Sequence, residues 1–270
     1  MRIIILFFII CSFTVVCTSQ ISSIIPGSPS IAQTSTADSK NWSGFNNPAM
    51  LGYVQNSQIG IQFENRFIIP ELSTKSVQLG LPTKLINTGF SFSHFGYSLY
   101  HEMMLGIGFG RNFSDKFALG VEFNYFMAYF NASNSYRGAL LPQVGLSVRF
   151  SPVFSVGFST FNPFQTGLSS EFVDMRLPSV FSVGTEYFFS PDFVWRTQID
   201  REVSGNYRLA TGFEYQMLNK FNVKLGVSHS EYLVSCIGFG IKTGAFVIDF
   251  NCDLHPLLGI TPLTSVKYRF

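Results

Sequence analysis

The segment KFALGVEFNYFMAYF, residues 116–130, sets large apolar side chains against small and polar ones at alternate positions. Phe117, Leu119, Val121, Phe123, Tyr125, Met127 and Tyr129 share one face. Ala118, Gly120, Glu122, Asn124 and Ala128 share the other, joined by Phe126 and Phe130. A repeat of two puts successive side chains on opposite sides of a strand. The pattern recurs in FNVKLGVSH (221–229), YRLATGFEY (207–215) and FVWRTQID (193–200). Strands this long and this two-faced require a different solvent on each side.

Composition says which two solvents. Charged residues are only 13% of the chain, against about 25% in an average soluble domain, while aromatics reach 16% with 31 Phe. Beyond the N-terminus no run reaches the roughly eighteen consecutive apolar residues that a spanning helix needs. Low charge, many aromatics and no helical span point to a transmembrane antiparallel β-barrel, an all-β fold. The net charge of +2 is too small to imply a nucleic-acid partner.

Segments bounded by turn residues number about fourteen, with twelve as the fallback. They span 57–68, 73–82, 84–95, 98–112, 116–130, 137–150, 153–162, 178–189, 192–202, 206–216, 220–230, 232–242, 245–252 and 262–270. If the first strand rises from the periplasm, the long connectors 131–136, 163–177 and 253–261 all fall outside the cell. The inner connectors are short, as in bacterial outer-membrane barrels. No helical interlude separates the strands, which excludes βαβ units.

Residues 1–19 read as a secretory signal: Arg2, an apolar run from Ile3 to Val16, and small residues at Cys17 and Ser19 before a cut at Gln20. Export through the general secretory pathway to the outer membrane of a Gram-negative bacterium follows from that reading. Residues 20–56 form a leader and an N-terminal plug or cap, and 57–270 form the barrel. Within the leader, 20–40 is rich in Ser, Thr and Pro and is expected to be flexible. Cys236 and Cys252 survive the cut. In a hairpin turning at Thr243-Gly244, Cys236 opposes Asn251 and Cys252 opposes Ser235, so the thiols face opposite ways and no disulfide is expected. At the other terminus Val266, Tyr268 and Phe270 share one face and Lys267 and Arg269 the other. That ending resembles the insertion signal of barrels placed by the outer-membrane assembly machinery.

The polar face carries Glu64, Arg66, Glu122, Arg149, Glu186, Arg196, Asp200, Arg208, Glu214, Lys224, Lys242, Asp249, Lys267 and Arg269. Charges facing lipid cost several kcal/mol, so this face is the lumen. A ring of one sign would suggest an ion-selective pore. Mixed signs suggest pairing across the interior or against a plug, with solute contact as the alternative. Gly106, Gly108, Gly120, Gly145, Gly157, Gly184, Gly212, Gly226, Gly238 and Gly240 fall on this same face. Glycine weakens a strand, so its one-sided placement implies tight curvature or room for an inserted segment.

Chemistry has little foothold. Ser228-His229-Ser230 is a strand segment whose neighbours point to opposite faces, so no triad follows from it. His94, His101, His229 and His255 share no ligand spacing. The glycine-rich GIGFGRNF at 106–113 alternates as a strand and leads into no helix, unlike a phosphate loop. No enzyme, metal or cofactor is implied.

The stretch NWSGFNNPAML (41–51) fits neither strand nor helix. With Asn47-Pro48-Ala49 ahead of the first strand it resembles the N-terminal segment of the FadL-like outer-membrane superfamily, and more closely its PorV/PorQ-like branch associated with type IX secretion. ENRF (64–67), FNPF (161–164), LPSVFSVGTEY (177–187) and the ending GFGIKTGAFVIDFNCDLHPLLGITPLTSVKYRF, with HPLLGIT as the last outer loop, fit the same resemblance. It implies fourteen strands and an N-terminal segment in the lumen, here Trp42, Asn46, Asn47, Pro48 and Ala49, with Pro48 ending any local helix. For that branch it implies a non-enzymatic accessory that holds or hands over exported proteins. For the wider superfamily it implies passive transport of hydrophobic small molecules, although the outer loops are brief for a lipophile-catching cap. A structural barrel of another role is the third possibility. Expected partners are outer-membrane lipid and lipopolysaccharide, the barrel assembly machinery, and an exported protein or a hydrophobic ligand.

Overall fold

The computed structural model describes residues 25–270 apart from 43, 115, 132–134, 170–173, 206 and 219. The expected signal at 1–19 and the first leader residues lie outside the described residues.

The strands in chain order are β1 (Gln58–Asn65), β2 (Ser73–Leu81), β3 (Asn87–Gly96), β4 (Tyr100–Phe113), β5 (Phe117–Phe130), β6 (Ser135–Ser151), β7 (Phe154–Phe161), β8 (Gly167–Ser169), β9 (Asp174–Arg176), β10 (Val180–Ser190), β11 (Phe193–Glu202), β12 (Tyr207–Met217), β13 (Phe221–His229), β14 (Leu233–Thr243), β15 (Phe246–His255) and β16 (Gly259–Arg269). All but β8 and β9 form one closed antiparallel barrel of fourteen strands. β16 returns to pair with β1 (Gln58 opposite Arg269), so the sheet has no open edge. β8 and β9 pair only with each other, as a hairpin inside the loop between β7 and β10.

Closure is what the alternation demanded. Leu209, Phe213, Leu225, Val227, Leu119 and Phe123 are exposed on the outside. Inside, Glu122, Asn124, Gln143, Glu186, Arg196, Lys224 and Asp249 are buried. This is a soluble protein turned inside out, stable only where lipid wets the outer face. Arginine at Phe213, the middle of the lipid-facing side of β12, is expected to lower folding stability by about 2–4 kcal/mol. The same change at Phe164, 79% exposed in an outer loop, should change little. Urea titration of refolding into lipid vesicles separates the two.

Odd-to-even connections gather at one end of the barrel and the tight turns at the other, the end such barrels direct to the periplasm. Several boundaries differ from the sequence expectation. β1 stops at Asn65 rather than 68, because Phe67 and Ile68 take left-handed backbone (φ +58° and +59°) in a 3-10 turn. The 163–177 loop contains the hairpin β8–β9, and the last outer loop is shorter than 253–261, since β15 runs to His255 and β16 starts at Gly259. The cysteine hairpin turns at Gly244-Ala245, with Thr243 opposite Phe246. Gly244 (φ +56°) takes the first central position, which type II′ turns reserve for glycine. Cys236 therefore opposes Asp253, and Cys252 opposes Ile237, not Asn251 and Ser235. Both thiols are free.

Candidate functional site: a plugged lumen

The chain from 25 to 56 runs through the lumen. The expectation of a flexible leader at 20–40 does not hold for its described part: Ser28, Ser30, Thr34, Ser35, Thr36 and Asp38 are all buried. Composition suggested disorder because such a segment cannot bury apolar surface. Here it buries polar groups instead, some bonded to a polar wall (Thr36, Asp38) and some to the plug itself (Ser30, Thr34).

Near the outer rim the Gly27 N–H donates to Glu64 Oε2 (3.0 Å), and Gln62 donates back to the Gly27 carbonyl. Pro29 has no N–H to offer, but its carbonyl accepts from Lys224 Nζ (2.8 Å) and Asn251 Nδ2 (2.7 Å). Ile31 and Ala32, in a short 3-10 turn, pack on Ala210 and Cys236. Arg208 donates to the Ala32 carbonyl. The Thr36 N–H donates to Gln198 Oε1 (3.0 Å). On the return limb Trp42 lies over Gly89, and its carbonyl accepts from Lys267 Nζ (3.2 Å). Gly44 and Phe45, both left-handed at φ +55° and +53°, reverse the chain. Gln143 and Ser159 then hold the Asn46 carbonyl.

Asn47 ties the two limbs together. Its Nδ2 donates to the Thr36 carbonyl (2.6 Å), and its Oδ1 accepts from the Ala49 N–H (3.0 Å). Asn47 is therefore the N-cap, and Pro48 the first residue, of a six-residue 3-10 helix, Pro48–Tyr53. Proline was expected to end a local helix; it begins one, because the first position needs no N–H. Ala49, Met50 and Leu51 are buried against the wall. Asn87 Nδ2 closes the far end by donating to the Leu51 and Val54 carbonyls, both at 2.8 Å.

The wall makes room for this backbone with inward glycines. A β-carbon at Gly120 would overlap the Pro48 carbonyl, and one at Gly145 would overlap Asn47 Oδ1. No hydrogen-bond pattern or charge rule requires glycine there; the inserted segment does.

Of the charges singled out in the sequence, Glu186, Arg196 and Glu214 come together. Arg196 spreads its guanidinium over three carboxylates: Nε to Glu186 (2.8 Å), Nη1 to Glu214 (2.8 Å) and Nη2 to Asp38 of the plug (3.2 Å). The planar fork is suited to several carboxylates at once. Lys224 pairs with Asp249 (2.6 Å), Arg208 with Asp200 (2.6 Å) and Arg66 with Glu64 (3.2 Å), the last at the outer rim. Glu122 and Arg149 stand apart. Glu122 accepts from the Ser91 hydroxyl (2.9 Å) and meets no cation among the described residues, while Arg149 lies over the Tyr53 ring. Val266, Tyr268 and Phe270 lie on the lipid side of β16 and just beyond it. Sequence reasoning missed Asp38, the plug's contribution to the charge cluster. It also missed the carboxamides of Gln62, Asn87, Gln143, Gln198 and Asn251, inward positions readable from the alternation but carrying no charge to draw notice.

A packed apolar cluster and a polar cavity flank the plug. In the outer half Phe45 enters an apolar lobe built by Met104, Phe126, Leu141, Phe161, Leu177 and Val180, with Leu168 of β8 beside it. At the short-turn end a polar cavity of about 700 Å³ opens, floored by plug residues Ser39–Trp42 and Gly52–Asn56. Among the described residues no cluster of His, Cys, Asp and Glu could hold a metal ion.

No protein-family model and no curated relative matches the chain. Solved structures do. The Pseudomonas putida toluene transporter TodX superposes with a TM-score of 0.64 at 9% identity, over 89% of this chain and 96% of that one. A monoaromatic hydrocarbon channel, CymD, gives 0.63 at 11% identity, over 83% and 91%. The Ralstonia pickettii toluene transporter TbuX gives 0.59 at 10% identity, over 83% and 92%. The chain shares their fold, that of outer-membrane channel barrels.

Proposed function

We propose that this chain is a plug-gated, non-enzymatic conduit of the FadL-like kind, passing small hydrophobic molecules across the outer membrane by diffusion. The observation that carries this reading is the apolar lobe around Phe45. A water-filled porin has a polar lumen; here one side of the outer half, beside polar and charged positions, carries a lobe of Met, Leu, Val and Phe. A hydrophobic solute gains about 25 cal/mol for each Å² of apolar surface it hides there. The structural neighbours, described as toluene transporters and hydrocarbon channels, support the same reading. In this account the Gly44–Phe45 reversal lifts Phe45 from the lobe as solute arrives, and the remaining plug shifts toward the periplasmic cavity.

The test is uptake of a labelled monoaromatic hydrocarbon by cells that carry or lack the protein. Leu141→Asn, which puts an amide into the lobe, is expected to reduce protein-dependent uptake several-fold, since an unpaired buried amide costs about 1–3 kcal/mol. The barrel should still assemble. Uptake equal in deleted and complemented cells would sink the proposal.

One observation favours the secretion-associated role that the PorV/PorQ-like resemblance implied. The wall is hydrogen-bonded between every neighbouring pair, and among the described residues its register shifts only at 149/151 and 188/190, both at the short-turn end. Over this paired length, which for β6 and β7 begins at Gln143, a lipophile finds no lateral exit, whereas an accessory that holds exported proteins needs none. Recovery of exported proteins with the barrel, together with absent uptake, would favour that role.

A further inference from the structure

The cavity at the short-turn end has a charge pattern that the hydrophobic route does not explain. Its carboxylates, Glu186, Glu214 and Asp249, are already held by Arg196 and Lys224. Its remaining cations are Lys40 on the plug, Arg149 on β6, Lys220 in the turn before β13, Lys242 on β14 and Arg269 on β16. None of these five makes an ion pair among the described residues. Two lie over aromatic rings: Lys40 Nζ is 4.6 Å from the centre of Phe188, and the Arg149 guanidinium 5.1 Å from that of Tyr53.

We propose that this cavity is the docking site for an extended acidic peptide segment of a periplasmic protein. The five cations ring the mouth from the plug, one turn and three separated strands. A single phosphate asks for cations converging on one point; spaced cations suit a row of carboxylates. They also do not face the membrane. Arg149 alternates with lipid-facing Phe150, and Arg269 with Tyr268 and Phe270, so the charged chains point into the ring. Between them Gln55, Asn56, Gln216 and Asn222 offer carboxamides that can pair with a peptide backbone. The volume of about 700 Å³ lies inside the roughly 300–1,000 Å³ typical of ligand clefts. Because plug residues form the floor, a docked segment rests on both limbs of the plug. The site stands independently of what crosses the lumen.

The test uses the full chain in lipid nanodiscs and a fluorescent nonapeptide rich in Glu and Asp. Neutral and basic peptides of equal length serve as comparisons, and anisotropy is the readout. The acidic peptide should bind and the other two should not, with affinity falling as salt rises. Lys242→Glu and Arg149→Glu should each weaken binding roughly tenfold. Lys84→Glu, an exposed lysine of the β2–β3 turn outside the cavity, should leave it unchanged. Heat-dependent gel mobility shows that each variant has assembled; if either cavity variant fails to assemble, Lys242→Gln and Arg149→Gln replace them, with a smaller loss expected. Inorganic phosphate and anionic phospholipid vesicles are added as competitors. Binding that is insensitive to both cavity substitutions, or displaced by phosphate or vesicles at matched charge, would overturn the proposal.

Discussion

Replacing Arg196 with methionine is expected to destabilise the plugged barrel by about 3–5 kcal/mol, the range for removing one partner of a buried charge pair. The Arg196 side chain is 1% exposed, and those of Asp38 and Glu186 are fully buried. Methionine fills much of the volume but leaves three carboxylates facing one another with no cation between them. Repulsion and desolvation then act together, and the mobile partner is Asp38, because Glu186 and Glu214 are anchored in β10 and β12. The limb around Asp38 should leave the wall. Hydrogen exchange and limited proteolysis of residues 25–42 should therefore rise sharply, while the barrel strands stay protected. Arg196→Lys keeps the charge but not the three-way fork, and should fall between the two. Combining Arg196→Met with Asp38→Asn should recover part of the loss, a coupling that a double-mutant cycle measures. Unchanged protection of 25–42 in Arg196→Met would show that the cluster does not hold the plug.

That the wall was readable in detail and the plug only in outline has a physical origin. In residues 221–228 each outward position is Phe, Val or Leu and each inward one is Asn, Lys, Gly or Ser. Lipid and lumen impose that pattern locally, residue by residue, so a strand declares itself without knowledge of its neighbours. Turn lengths then fix orientation. The plug has no such local rule. Pro29 matters because its carbonyl meets Lys224 and Asn251, some two hundred positions away, and nothing near Pro29 announces it. Serines and threonines that read as a flexible leader in water become ordered when a polar wall supplies partners. The cysteine hairpin failed for a smaller reason: Thr243-Gly244 and Gly244-Ala245 are both plausible turns, and Gly244 suits the first central position better. Asn47-Pro48 was legible but misread, since asparagine before proline is a helix start as readily as a stop.

The inward glycines offer the cleanest separation of plug from wall. Valine at Gly120 or Gly145 should open the barrel without dismantling it. Glycine is a poor strand residue and valine a good one, so the substitution favours β5 or β6 taken alone. The conflict lies only with the inserted segment: the new β-carbon at Gly120 overlaps the Pro48 carbonyl, and at Gly145 it overlaps Asn47 Oδ1. Overpacking a fitted interior costs about 1–3 kcal/mol; at Gly120 the obstacle is backbone, and at Gly145 it is the Asn47 carboxamide, which cannot turn away without losing its bonds to Thr36 and Ala49. The ring of fourteen hydrogen-bonded strands is the stiffer body, hence the Asn47–Leu51 turn must yield. Both valine variants should show steady conductance in planar bilayers and faster proteolysis within 25–56. Gly60→Ala is the informative contrast, because the atoms nearest its β-carbon belong to the flexible Gln78 side chain, 2.7 Å away at Nε2. It should remain closed. Conductance that stays at the parental level in both valine variants, with the plug still protected, would mean that the wall deforms instead and that the glycines serve its curvature.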